Sequence, residues 1–468
     1  MGLLRAIGFF HGNIFLFSVM IGAGIFVSPQ GVLKYSSQNI PVSLSIWAAA
    51  ALLKMMNSLC IAELATTFPV SAAPYYCLKR SLGSSVAFLN VWIGMFGYYL
   101  GLSTQSLLIA NCLIQPFYSG CPAPELPKKC LALAVLWSLG ILNARGVTTV
   151  SWFNTISSFM KMAVLFFISL TGIVLLVIGK RENVSRFENA LGAEFPDASQ
   201  IAEAILQGSF AYSGSSLLFT IAGEIKNPAE TIPKSLISGI STVAVLYILT
   251  NVSYLAVLSP QEILSSDSVA GTWMDRVFPS MQWIISFAVS ISMLNSTACG
   301  ILSASRFFYS ASQEGQLPFI FSMLNNYHCP VVAVTKIIIF SSIAVIPSRL
   351  VNLIKYLMLS TLVLSELNMI ALLKLRHQEP HLHRPYKVWL PFLFGSMSSS
   401  LFLLVLPMIK TPTMELIYQV IFILSGFLCY WFHIHLKQHS GFFDKITCYL
   451  QLLFNVSPPE DRDNIFIH

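Results

Sequence analysis

Apolar runs of roughly twenty residues recur from end to end of this chain, each about long enough to cross a hydrocarbon core of about 30 Å. Lipid leaves such runs few options, because every backbone amide inside it must be paired within the segment, and helices satisfy that condition. The balance of the 468 residues agrees: 55% are hydrophobic, 10% are charged and the mean hydropathy is +0.71. A soluble globule of this size would need more polar surface. The expected class is therefore all-α and polytopic in the membrane, and the regular recurrence excludes a signal peptide followed by a soluble domain.

Hydropathy read against helix breakers predicts twelve spans, at about 6–30, 41–66, 84–114, 129–143, 151–178, 203–224, 235–258, 281–310, 331–347, 351–374, 389–409 and 415–437. An even number places both termini on one side, and the loop lysines and arginines favour the cytoplasm for that side. The segment "KLRHQEPHLHRPYK", Lys374 to Lys387, is the strongest marker of it. The loops Gln115 to Cys130 and Lys180 to Gln200 are then external, the second carrying a glycosylation sequon at Asn183. The sequons at Asn251, Asn295 and Asn455 fall in spans or in the cytoplasmic tail and are expected to be silent.

Several functions are excluded at this stage. The net charge of +7 is spread over short loops without a dense basic block, so no nucleic-acid partner is expected. Nine cysteines include no C-x-x-C pair and no zinc spacing. His381 with His383 and His433 with His435 sit two apart, a spacing open to a metal but also to solvated loop or helix ends; no metal and no cofactor is expected. Glu63, Glu224 and Glu366 are scattered, without the nucleophile and base an enzyme requires. A channel would want polar rings along a continuous pore.

Two stretches resist helical reading where a helix is most needed. "SVMIGAGIFVSP", Ser18 to Pro29, sets Gly22 and Gly24 around an alanine and closes on proline; "FAYSGSSLLFT", Phe210 to Thr220, breaks at Ser213-Gly214-Ser215. These interruptions lie in spans 1 and 6, which suggests two five-span halves of opposite topology. The chain then reads as one domain, 1–468, with repeats at about 6–178 and 203–374, two extra helices at about 389–437 and a short tail from 438.

Backbone that leaves helical geometry inside a membrane is tolerated only where protein or a water-filled cavity supplies its partners. The half-helix after each break exposes N–H groups that suit a carboxylate, and the half-helix before it exposes carbonyls that suit an ammonium. Those are the two poles of an amino acid zwitterion. Glycine removes Cβ and lets a ligand reach the main chain. Small-residue helix packing is the alternative reading of Gly22 and Gly24.

Lys161 stands near the middle of span 5, where a lysine must face the bundle interior with a partner, or else snorkel to an interface. Lys54 in span 2 and Glu366 in span 10 are also ionisable at costly depth and are expected to pair or to line the cavity.

With these residues in view, "IGAGIFVSP", "FAYSGS" followed by "AGEIKNPAETIP", "SRFFYSASQEGQLP" and "HRPYKVWLP" together resemble the light-chain subunits of heteromeric amino acid transporters, in the amino acid-polyamine-organocation superfamily. The likeness runs from about Gly8 to Asn455. "CLKRSLGSSVAFLN", "SLTGIVLLVIGKRENV", "LSPQEILSSDSVA" and "ITCYLQLLFN" look most like the sodium-independent aspartate/glutamate and cystine branch.

The resemblance implies a LeuT-type fold of five plus five inverted spans with two more helices, and obligatory amino acid exchange by alternating access at the plasma membrane. Carried onto this sequence, the substrate carboxylate meets the amides of Ala23 and Gly24, beside Gly22. The amino group meets carbonyls at Ile21, Phe210 and Ser213, with Ala211 and Gly214 completing the second break, and Phe210 closes over the ligand. The Lys161 ammonium takes the place of the sodium bound by sodium-coupled relatives.

Ser213 stands where cationic-substrate light chains carry aspartate and large-neutral ones glycine, which argues against cationic side chains and leaves acidic or small neutral ones. Span 3 holds no arginine or lysine, so an acidic side chain would be read by Ser103, Thr104, Gln105 or Asn295, or by Lys54 if it faces inward.

In this family a loop cysteine pairs with a single-span type II glycoprotein heavy chain, and here that residue is Cys121, between Gly120 and Pro122. An intrachain bridge to Cys112 or Cys130 is the alternative. Amino acids, membrane lipid and that heavy chain are the expected partners.

Overall fold

The computed structural model describes residues 5–22, 24–114, 117–118, 124–178, 195–266, 268–279, 282–346, 351–410, 413–436 and 441–458. Its regular elements are helices: α1 Phe9–Met20, α2 Gly24–Tyr35, α3 Ile40–Thr67, α4 Ala73–Leu82, α5 Ser84–Ile114, α6 Glu125–Ala144, α7 Val147–Val177, α8 Ala198–Ala211 and α9 Ser216–Thr220. After them come α10 Pro228–Val257, α11 Pro260–Ser265, α12 Val269–Val277, α13 Gln282–Gln313, α14 Val331–Val345, α15 Val351–Gln378, α16 Leu390–Lys410, α17 Thr413–Leu436 and α18 Gly441–Phe454.

The all-helical expectation holds. Among the described residues five helices are long and apolar enough to cross a membrane, namely α3, α5, α7, α10 and the stretch Ser286–Gln313 of α13; α1 and α2, bent by 53° at their break, add a sixth when counted as one broken span. The remaining expected spans coincide with α6, the α8–α9 pair, α14, α15, α16 and α17.

Three features depart from the sequence reading. Pro29, expected to close span 1, lies inside α2, which continues to Tyr35. The second broken span is a 14-residue helix, a turn and a 5-residue helix, followed by a 3-10 turn at Ala222–Glu224. The tail carries α18, docked through Leu450, Phe454 and Val456 onto Ile320, Met323 and Val332, with Leu324 and Ser457 exchanging backbone hydrogen bonds at 3.0 and 2.9 Å. Hydropathy misses α18 because its 14 residues fall short of the roughly 20 that a membrane-spanning run requires.

Packing sorts the long helices into two groups. α10 packs on α1 and α3, and α3 on α8; α5, α6, α13 and α14 pack on one another; α7 touches both groups, and α1 also packs on α13. α2 packs chiefly against α8, with α11 and α12 beside it.

The end that carries the N-terminus is tied by ion pairs. Glu224 takes Arg306 at 2.6 Å, both fully buried. Glu63, fully buried at the foot of α3, accepts from Arg376 and from the amide of Val388 at 2.8 Å. Lys79 pairs with Glu314 at 2.6 Å, and Arg80 grips Glu379 with two bonds of 2.9 and 2.8 Å. Ile7 donates to the Glu224 carbonyl at 3.0 Å and accepts from Lys226 at 2.8 Å, which clips the chain start to the end of the second broken span. Motifs far apart in sequence thus close on one another: "AGEIKNP" meets "SRFFYS", and α3 meets "HRPYKVW".

Candidate functional site at two broken helices

The two breaks meet in the middle of the bundle, and glycine is what lets them meet. Gly214 has φ +106°, a left-handed conformation costly for any other L-residue, and a Cβ there would run into the Val19 side chain of α1. Gly24 opens α2 against the start of the other break, where a Cβ would lie 2.5 Å from Ala211 Cα. Gly22 faces Ser296 Oγ, 3.1 Å from where its Cβ would be. Close approach, to the main chain of Ala211 and to the side chains of Val19 and Ser296, is the use made of the three.

Breaking α1 frees carbonyls that need donors in a buried place. Lys161 of α7 supplies them, with Nζ donating to the Ser18 and Ile21 carbonyls at 2.8 Å each and to Ser292 at 3.4 Å. Ser292 Oγ adds a bond of 2.7 Å to the Ile21 carbonyl, and Ser296 Oγ one of 2.8 Å to Ser18. Ser18 Oγ is 2.8 Å from Ser158 Oγ, and the Asn295 amide donates to both hydroxyls at 3.2 and 3.3 Å. Lys161 is buried, so it does not snorkel.

The second set of freed carbonyls is served by Tyr247 of α10. Its hydroxyl lies 2.6 Å from the Met20 carbonyl and 3.2 Å from that of Ala211, so one fully buried side chain touches both breaks. The Tyr247 ring sits against Trp47 and Tyr212, with centroids 5.8 and 5.0 Å away. Ser58 Oγ on α3 donates to Ser215 Oγ at 2.8 Å behind the second break.

This geometry sorts the expected site residues. Ile21 and Gly22 lie in the first break and Gly24 begins α2, while Ala211, Ser213 and Gly214 form the second with Phe210 at its edge. The Ile21 carbonyl already accepts Lys161 and Ser292, which engages both its lone pairs, and the Phe210 carbonyl accepts the amides of Tyr212 and Ser213. In this conformation both carbonyls are engaged by donors of the protein itself. Ala23, Cys121 and Asn183 lie outside the described residues.

Phe210, 45% exposed, and the exposed Ser213 and Ser216 sit on elements within the bundle. On α5 a Cβ built at Gly97 or Gly101 would meet nothing within 4 Å. The first four amides of α2 have no intrahelical partner and start at the break.

Among the expected side-chain readers, Ser103 is turned away onto the Tyr99 and Ser341 carbonyls. Thr104 bonds back to Leu100, Gln105 is engaged by Thr297, and Asn295 is spent on Ser18 and Ser158. Tyr247, Ser292, Ser296 and Ser158 were not foreseen from sequence. Three of the polar groups, Ser292, Asn295 and Ser296, recur at helical spacing in the otherwise apolar α13, and that pattern could have marked a polar seam.

Comparison with known proteins identifies the family. Residues 7–432 match the amino acid permease family. The chain is 63% identical to solute carrier family 7 member 12 of Mus musculus over 99% of both chains. It is 32% identical to the b(0,+)-type amino acid transporter 1 of Homo sapiens, over 98% of this chain and 94% of that one. It is 30% identical to the cystine/glutamate transporter of Pongo abelii, over 98% and 92%. The chain belongs to the amino acid permease family, in its solute carrier family 7 branch, and is a multi-pass membrane transporter and not an enzyme.

Proposed function

We propose that this protein is a sodium-independent exchanger of amino acids at the plasma membrane, working by alternating access and carrying aspartate, glutamate and cystine. The observation that carries the reading is the Lys161 ammonium, held by the Ser18 and Ile21 carbonyls at the first break. A fixed cation there supplies the charge a bound sodium would bring, so a sodium gradient is not needed. The substrate carboxylate is received by the amides at Ala23 and Gly24, beside Gly22, and the amino group by the Ser213 carbonyl, with Ala211 and Gly214 shaping the second break. Phe210, half exposed here, swings over the ligand as the outer gate.

The chain would stand as twelve spans of LeuT type with both termini cytoplasmic. The ion-paired end is then the closed inner side, and the open space before Gly97 and Gly101 belongs to an outward-facing state. The acidic and cystine substrates rest on the sequence likeness and accord with a relative whose name includes cystine and glutamate. The neutral Ser213 and an α5 without lysine or arginine favour a second reading, exchange of small neutral amino acids. Cys121 would form the disulfide to a single-span glycoprotein heavy chain.

Counterflow in proteoliposomes tests the assignment. Internal unlabelled aspartate should drive uptake of labelled aspartate, glutamate and cystine, with arginine inert. Uptake that needs no internal amino acid would contradict exchange.

A further inference from the structure

Lys54 is a membrane-depth cation to which the proposed mechanism gives no role; Lys336 of α14 is another, but it already rests over the Phe308 and Phe321 rings. On α3 it lies between two residues whose contacts are fixed: Asn57, which donates to Ser365 of α15 at 2.8 Å, and Ser58, which donates to Ser215 at the second break at 2.8 Å. At 3.6 residues per turn Lys54 points about 60° from Asn57 on one side and about 40° from Ser58 on the other, roughly one turn away along the axis. It therefore faces the seam between α15 and the α8–α9 break. α8 packs on α2, α3 and α16, and α15 packs on α3, α4, α5, α16 and α17, so the seam lies between a helix that reaches α2 and one that reaches α5.

Lys54 is partly exposed within this seam, and among the described residues it has no ion pair or hydrogen bond. The acids that could answer it are mostly taken: Glu63 by Arg376, Glu224 by Arg306 and Glu314 by Lys79. Glu366 of α15 follows Ser365, the partner of Asn57; among the described residues it forms no salt bridge, and its buried Oε1 has no hydrogen-bond partner. An ammonium without a partner at this depth is costly unless another charge completes it.

We infer that Lys54 determines specificity, supplying the counter-charge for the side-chain carboxylate of an acidic amino acid bound at the two breaks. This rests on the exchange reading above and adds to it the residue that distinguishes an acidic from a neutral side chain. Lysine suits the task because its compact charge on a flexible stem can follow a carboxylate at either of two chain lengths.

The test compares aspartate with asparagine, its neutral isostere, in counterflow with the purified full chain. Lys54→Met and Lys54→Gln should lower the aspartate-to-asparagine ratio of kcat/KM by about tenfold or more, the loss of one charge-assisted contact, while asparagine exchange is kept. Lys54→Arg should retain most of the ratio, and Glu366→Gln should leave it unchanged or raise it. An unchanged ratio in both neutral variants, or equal loss of both substrates, would overturn the inference and leave the exchange reading intact. A fall in Glu366→Gln equal to that in Lys54→Met would overturn it too, by making the lysine a structural partner of Glu366. Wild-type protein that exchanges asparagine but neither aspartate nor glutamate would remove the acidic reading itself, and this inference with it.

Discussion

At the scale of single residues the account depends on groups that stand in for missing helix. Lys161 does the work of several backbone donors at once, and removing it leaves the Ser18 and Ile21 carbonyls short of a donor in a dry place. Lys161→Met should abolish exchange and lower the melting temperature in detergent, with a loss of unfolding free energy of about 1–3 kcal/mol in all, since Ser292 and Ser296 still donate to the two carbonyls. Full exchange with unchanged stability would show that the ammonium is dispensable. Gly214→Ala meets two obstacles, a left-handed φ and the Val19 side chain. It should cost at least about 2 kcal/mol in thermal unfolding, from backbone strain and overpacking together. The glycines were legible in the sequence because weak helix formers inside an apolar run have few other uses. The donors that answer them were less so: Lys161 was conspicuous as a charge in lipid, whereas Tyr247 looked like any aromatic in an apolar helix.

At the scale of elements, the broken helices are held by what packs behind them. The short α9 has five residues and could not persist alone; its level is set by the buried Glu224–Arg306 pair just beyond it and by the bond of 3.0 Å from Ala72 to the Thr220 carbonyl. Arg306→Met leaves Glu224 charged and unanswered and should destabilise the protein by about 3–5 kcal/mol. Adding Glu224→Gln to that variant should recover part of the loss, as read by unfolding of single and double variants; no recovery would mean that the pair is not the source of the cost. Hydropathy located most helices to within a few residues. It missed α4, α11, α12 and α18, of 10, 6, 9 and 14 residues, because helices that short give no long apolar run.

At the scale of the whole molecule, four sets of ion pairs tie one end together among the described residues, while Phe210 at the second break is 45% exposed. A single cysteine at Ser213, in the outward-facing state proposed, should be labelled by a membrane-impermeant thiol reagent added outside, and a saturating substrate should protect it; labelling only from the inside would reverse the assigned orientation. The pairing of two interrupted stretches was readable in the sequence, and so was their meeting place. The division into two packed groups was not, since it depends on which faces of α3, α5, α10 and α13 touch, and apolar faces toward protein and toward lipid look alike. The most direct measurement is counterflow of labelled amino acid in proteoliposomes with sodium replaced by choline. Undiminished exchange in wild type, with none in Lys161→Met, is the predicted result; exchange that collapses without sodium would contradict the account at its centre.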